Sequence, residues 1–256
     1  MKKKYWLLLA LFSAAAAFLR IEHLRTGFDA DGLALHGCIP AIALPITLLL
    51  AAAVFLLLCR RYPAQRDLSG AMDRYFDFSS TVSVMLSVLG AFALIGAAVL
   101  SLLNPWRTML TMLLSVFWFA CAASVIYALF ALRRGIEFPG VVLLTPVCAL
   151  VLQTIVSYRS SAADPVLGHL YIETLALTAL TMTFLELSAF AFRNGAPRLF
   201  LPLGAVSVIL CSCMVAERRS FLSMVFYAGF ALILLGCCAA ADFSDNASEN
   251  PTGEEE

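Results

Sequence analysis

"CIPAIALPITLLLAAAVFLLLC", residues 38–59, carries no charged side chain and a single hydroxyl, Thr47. Wound as an α-helix at about 1.5 Å per residue it reaches about 33 Å, enough to cross a hydrocarbon core of about 30 Å. Seven further apolar runs flank it, near 5–21, 79–103, 108–132, 139–158, 168–192, 199–216 and 220–241. The chain is 62% hydrophobic and 13% charged, with mean hydropathy +0.91, whereas a soluble domain is about half apolar and a quarter charged. These runs imply an all-α fold, a polytopic transmembrane bundle of about eight helices. The count drops to seven if the first run, behind "MKKK" and rich in small residues, is a signal peptide cleaved after Ala17.

The runs divide the chain into a transmembrane domain over residues 1–241 and an acidic tail, "DFSDNASENPTGEEE", over 242–256. The tail lacks Lys and Arg and is too polar to bury a core, so it is expected to be disordered. Basic residues set the orientation. With the N-terminus inside, Lys2, Lys3, Lys4, Arg60, Arg61, Arg66, Arg74, Arg133, Arg134, Arg193 and Arg198 fall on the cytoplasmic side. Arg20, Arg25, Arg107, Arg159, Arg218 and Arg219 fall outside. Eleven against six favours both termini in the cytoplasm, an outer loop at 20–37 and a cytoplasmic loop at 60–78. The plasma membrane of a bacterium is the expected location. "FALRRG" at 130–135 and "FAFRNG" at 190–195 both close an apolar run with Arg then Gly, which suits a dipole-complementing cation and a left-handed glycine cap.

The outer loop contains "RTGFDADGLALHG", residues 25–37, whose Asp29, Asp31 and Gly32 are turn formers. "DADG" opens like a calcium loop but lacks the further ligands and closing Glu of an EF-hand. Thr26, Phe28, Asp29, Gly32 and Leu33, placed after a first hydrophobic helix, resemble a turn of uncharacterised multi-pass membrane proteins of anaerobic bacteria. In that pattern a Thr-x-Phe-Asp turn leads to Gly-Leu, and the turn is one residue longer than here. The resemblance covers about a dozen residues. It implies a bacterial membrane protein and no particular activity.

The sixth run, "GHLYIETLALTALTMTFLELSAFAFRNG" at 168–195, holds the two acidic residues that fall inside an expected span, Glu173 and Glu186. Thirteen residues put them about 20 Å and 140° apart on a helix, too far for a catalytic dyad. Glu186 shares a stripe with Arg193, about 10 Å away. Thr174, Thr178, Thr181 and Ser188 form a weakly polar stripe that suggests an interior helix. Glu186, Arg193, Thr178, Thr181 and Glu173 are therefore the candidate binding residues, with Glu186 as proton or cation carrier or as glue between helices. The three histidines, His23, His36 and His169, all fall outside near acidic residues and form a candidate metal set, though without His-x-x-x-His spacing. Pro40 and Pro45, Pro146 and Pro202 interrupt helices 2, 5 and 7, as in transporters that build sites from broken helices.

Several chemistries lack their marks. There is no G-x-S-x-G, no Walker A loop, no acidic dyad, no basic surface for nucleic acid, and no C-x-x-C among the eight cysteines, which read as packing residues. No cofactor is implied. The leading expectation is a small permease or membrane component of a transport system, with the bilayer as solvent and a small-molecule substrate that the sequence does not name. A non-catalytic scaffold or sensor, meeting other membrane proteins through the outer loop and tail, is the second. A metal-dependent enzyme on the outer face is the third, and no histidine lies deep in a span to serve as a base.

Overall fold

The computed structural model describes residues 2–27, 38–60, 72, 75–104, 108–134, 136, 140–161, 170–192, 194–217 and 220–241. Within them are α1 (Lys2–Thr26), α2 (Ile39–Cys59), α3 (Thr81–Leu103), α4 (Met109–Arg133), α5 (Leu144–Ser161), α6 (Leu170–Ala191), α7 (Pro197–Glu217) and α8 (Phe221–Ala240). All eight are long and apolar enough to cross a membrane, and the chain is an all-α polytopic bundle. Residues 28–37 of the expected outer loop, most of the 60–78 loop and the 242–256 tail lie outside the described residues.

Local chemistry sets several helix ends. Thr108 and Thr111 cap α4 reciprocally: Thr111 N donates to Thr108 Oγ1 at 3.3 Å, and Thr108 N donates to Thr111 Oγ1 at 2.9 Å. Ser220 Oγ accepts from Ser223 N at 3.0 Å and starts α8. Pro40 lies in the first turn of α2, and Pro146 in the first turn of α5, which follows a 3-10 turn at Gly140–Leu143. Pro40 does not interrupt its helix, because first-turn N–H groups have no intrahelical acceptor to lose, whereas Pro146 sits just past the change from 3-10 to α geometry in a helical run continuous from Gly140. Pro45 and Pro202 are interior, as expected. α4 ends at Arg133 but α6 ends at Ala191, two residues earlier in the "FALRRG"/"FAFRNG" alignment. Gly195 does not adopt a left-handed φ; a Cβ there would run into the Phe190 ring.

Neighbouring pairs run α3–α4, α4–α5, α5–α6, α6–α7, α7–α8 and back from α8 to α3, closing a circuit of six helices. α1 and α2 pack on each other and on α7 outside that circuit. α7 thus has helices on most sides, and buries Cys211 and Cys213 although they point in nearly opposite directions. None of the eight cysteines forms a disulfide. The most extensive pairing, α3 with α8, depends on Gly90 and Gly229. A Cβ on Gly90 would stand 2.5 Å from Gly229 O, so the two backbones approach closer than any side chain permits.

The two ends of the bundle differ. At the end where α1 begins, Phe76, Phe190 and Phe200 meet edge-to-face with centroids 5.2 to 5.8 Å apart, and Tyr75 and Phe78 flank them. Asp77 N donates to Ala240 O at 2.8 Å, tying this aromatic cluster to the end of α8. At the other end, where α1 finishes and α8 starts, the interior is polar.

Candidate functional site

The polar end begins with a helix that outlasts its apolar run. Expected to leave the membrane near residue 20, α1 continues to Thr26, so Arg20 and His23 stand one turn apart on a helix rather than in a loop. Arg20 is fully buried and donates from Nη2 to Glu217 Oε2 at 2.8 Å, in the last turn of α7. The Glu217 side chain is 3% exposed. Desolvating two such charges is tolerable only when each finds an opposite partner in good geometry, and here both do.

Arg20 Nη1 also lies 3.3 Å from His23 Nδ1. A guanidinium has only donors, so Nδ1 accepts and the imidazole is neutral with its hydrogen on Nε2. A metal cation at Nδ1 would face the charge of Arg20. His36 and His169, the other expected metal ligands, lie outside the described residues.

Glu173 is the second buried carboxylate of this end, 9% exposed in the first turn of α6. Ser157 Oγ of α5 donates to Glu173 Oε1 at 2.6 Å, and Gln153 Nε2 donates to Ser157 Oγ at 3.2 Å. Because a serine has one hydrogen, the relay has a fixed sense, amide to hydroxyl to carboxylate. The Tyr227 hydroxyl of α8 reaches the same Oε1 at 3.5 Å. Five helices thus contribute buried polar groups to this end, α1 and α7 through Arg20 and Glu217, and α5, α6 and α8 through Gln153, Ser157, Glu173 and Tyr227.

Glu186 stands apart from it, about 20 Å along α6 toward the aromatic end. Its side chain is partly buried, and Oε2 is buried with no hydrogen-bond partner among the described residues. Arg193, its expected stripe partner, lies outside the described residues.

The expected stripe does not keep to one face: Ser188 is buried, but none of its three threonines is. Thr178 is exposed, Thr174 and Thr181 are intermediate, and Thr178 and Thr181 donate to the carbonyls of Thr174 and Leu177, one turn back on their own helix, at 2.7 Å. The buried face of α6 instead runs through Ile172, Glu173, Ala176, Leu180, Thr183 and Leu187. A threonine that satisfies its hydroxyl on its own backbone is tolerated against lipid, which is why spacing alone misplaced the interior.

The sequence indicated Glu173 and, as a metal ligand, His23; Arg20, Glu217, Ser157, Gln153 and Tyr227 join them at this end only in the structure. Two signals were available: Arg20 and His23 at helical spacing of three, and Glu217 directly abutting the seventh apolar run.

No family model, curated protein or solved structure matches the chain.

Proposed function

We propose that this protein is a small permease or membrane component of a transport system in a bacterial plasma membrane, with both termini cytoplasmic. The observation that carries the transport reading is the contrast between the two carboxylates of α6. Glu173 has hydroxyl donors on its Oε1, as a structural acid needs. Glu186 keeps a buried oxygen with no donor among the described residues. An intramembrane carboxylate costs on the order of 3 kcal/mol at mid-depth and less toward the interface. A proton on that oxygen, or a cation or cationic group against it, removes the cost. A carrier acid that cycles between loaded and empty states needs such an open acceptor. The orientation is supported by the eleven Lys and Arg residues assigned to the cytoplasmic side against six outside.

The test is thermal stability of the purified protein in mild detergent across pH 5 to 8 and a panel of Na⁺, K⁺, Mg²⁺ and cationic amino acids, for wild type and Glu186→Gln. Transport through Glu186 predicts a proton- or cation-specific rise that the variant loses, since a ligand stabilises the state it binds. Responses identical in both proteins would rule Glu186 out as the carrier.

A further inference from the structure

We propose that the open groove between α1 and α8 binds one acyl chain of an anionic phospholipid whose phosphate is held by Lys3. α1 and α8 both pack on α7 but not extensively on each other, leaving a groove of about 500 Å³ lined by Val208, Ser212 and Val215 of α7. Its walls are Trp6 and Ala10 on α1 and small residues such as Ala231 on α8. All three helices are membrane spans, so the groove opens at hydrocarbon depth, where acyl chains are the abundant solute.

Charge complementarity chooses the lipid. Lys3, Trp6, Ala10 and Ser13 are spaced three, four and three residues apart and fall within about 80° of the helix circumference. The wall of the groove therefore continues, about one turn beyond Trp6, into an exposed lysine. From Trp6 to Ser13 the wall extends about 10 Å along the axis, so a chain lying in it starts at the level of Trp6. Tryptophan is at home at the headgroup boundary, and a lysine just past it meets a phosphate. A zwitterionic lipid offers that lysine no net charge, whereas an anionic one does. The site is separate from Glu186 and does not depend on the transport reading.

The experiment is native mass spectrometry of delipidated protein after adding back equal amounts of phosphatidylglycerol and phosphatidylcholine with matched chains. One phosphatidylglycerol retained several-fold over phosphatidylcholine is expected. Lys3→Glu should bring the two to parity with the fold intact. Ala231→Phe should fill the groove and abolish retention of both. Ala10→Phe fills the groove from the exposed wall and replaces it if that variant does not fold. Equal retention of both lipids by wild type, or variants that retain phosphatidylglycerol as wild type does, would overturn the proposal. So would a dimer mass that Ala10→Phe converts to monomer, since the groove would then hold a second copy.

Discussion

Arg20 and Glu217 are 197 residues apart in the chain and 2.8 Å apart in the bundle, and neither side chain is more than 3% exposed. The pair fastens the end of α1 to the end of α7. Removing one partner leaves the other charge buried and unmatched, so Arg20→Met or Glu217→Leu alone should lose about 3–5 kcal/mol. The double variant replaces an ion pair by two apolar side chains and should recover most of that loss. A double-mutant cycle on unfolding in mild detergent reads the difference. Purely additive losses would mean that the two charges do not depend on each other.

Glu173 should separate its two hydroxyl partners by distance. Ser157 bonds it at 2.6 Å and Tyr227 at 3.5 Å, so Ser157→Ala should destabilise more than Tyr227→Phe. Glu173→Gln keeps an acceptor for Ser157 and should cost about 1 kcal/mol or less, whereas Glu173→Leu strips both hydroxyls and should cost about 1–3 kcal/mol. Melting temperatures of the four variants in one detergent give the ranking.

Gly90→Ala tests the closest helix approach. The added methyl would meet Gly229 O and the Ile233 backbone, neither of which can rotate away. Separating α3 from α8 should cost about 1–3 kcal/mol. Gly96→Ala, on the same helix with open space where its Cβ would sit, is the matched control and should be neutral or stabilising. Equal effects at the two sites would argue against tight α3–α8 packing.

The eight spans could be read from the sequence because hydropathy needs no knowledge of neighbours. Most ends fell within three residues, as at 38–59 against Ile39–Cys59 and 79–103 against Thr81–Leu103. Two ends missed by five residues: α5 starts at Leu144 because a 3-10 turn takes up Gly140–Leu143, and α1 runs on to Thr26 because Arg20, Glu22, His23 and Arg25 read as a loop unless the buried partner, from the far end of the chain, is known. The candidate site followed the same rule. Glu173 could be picked out because a carboxylate in an apolar run is conspicuous by itself. Ser157 and Tyr227 could not, since serine and tyrosine are ordinary in spans and gain a role only through what faces them. The threonine stripe failed for the converse reason: its residues are polar, but their own backbone satisfies them.

That failure supplies a sharp comparison on one helix. Thr183 is fully buried and lies 2.8 Å from the equally buried Ser207 of α7, whereas Thr178 is exposed. Thr183 uses its only hydrogen on Ala179 O, so Ser207 is the donor between them. Thr183→Val should therefore remove the acceptor of Ser207 and cost about 0.6 kcal/mol and at most about 1.7 kcal/mol, the average and maximum for hydrogen bonds between membrane helices. Thr178→Val loses only a bond to its own helix and gains a methyl against lipid, so its effect should stay within about 0.5 kcal/mol. Unfolding of both variants under identical detergent conditions reads this directly. If Thr178→Val proved the more damaging, the inward face of α6 would have to be turned by roughly half a revolution. Glu186, eight residues beyond Thr178 and some 80° around from it, would then be reassigned with it.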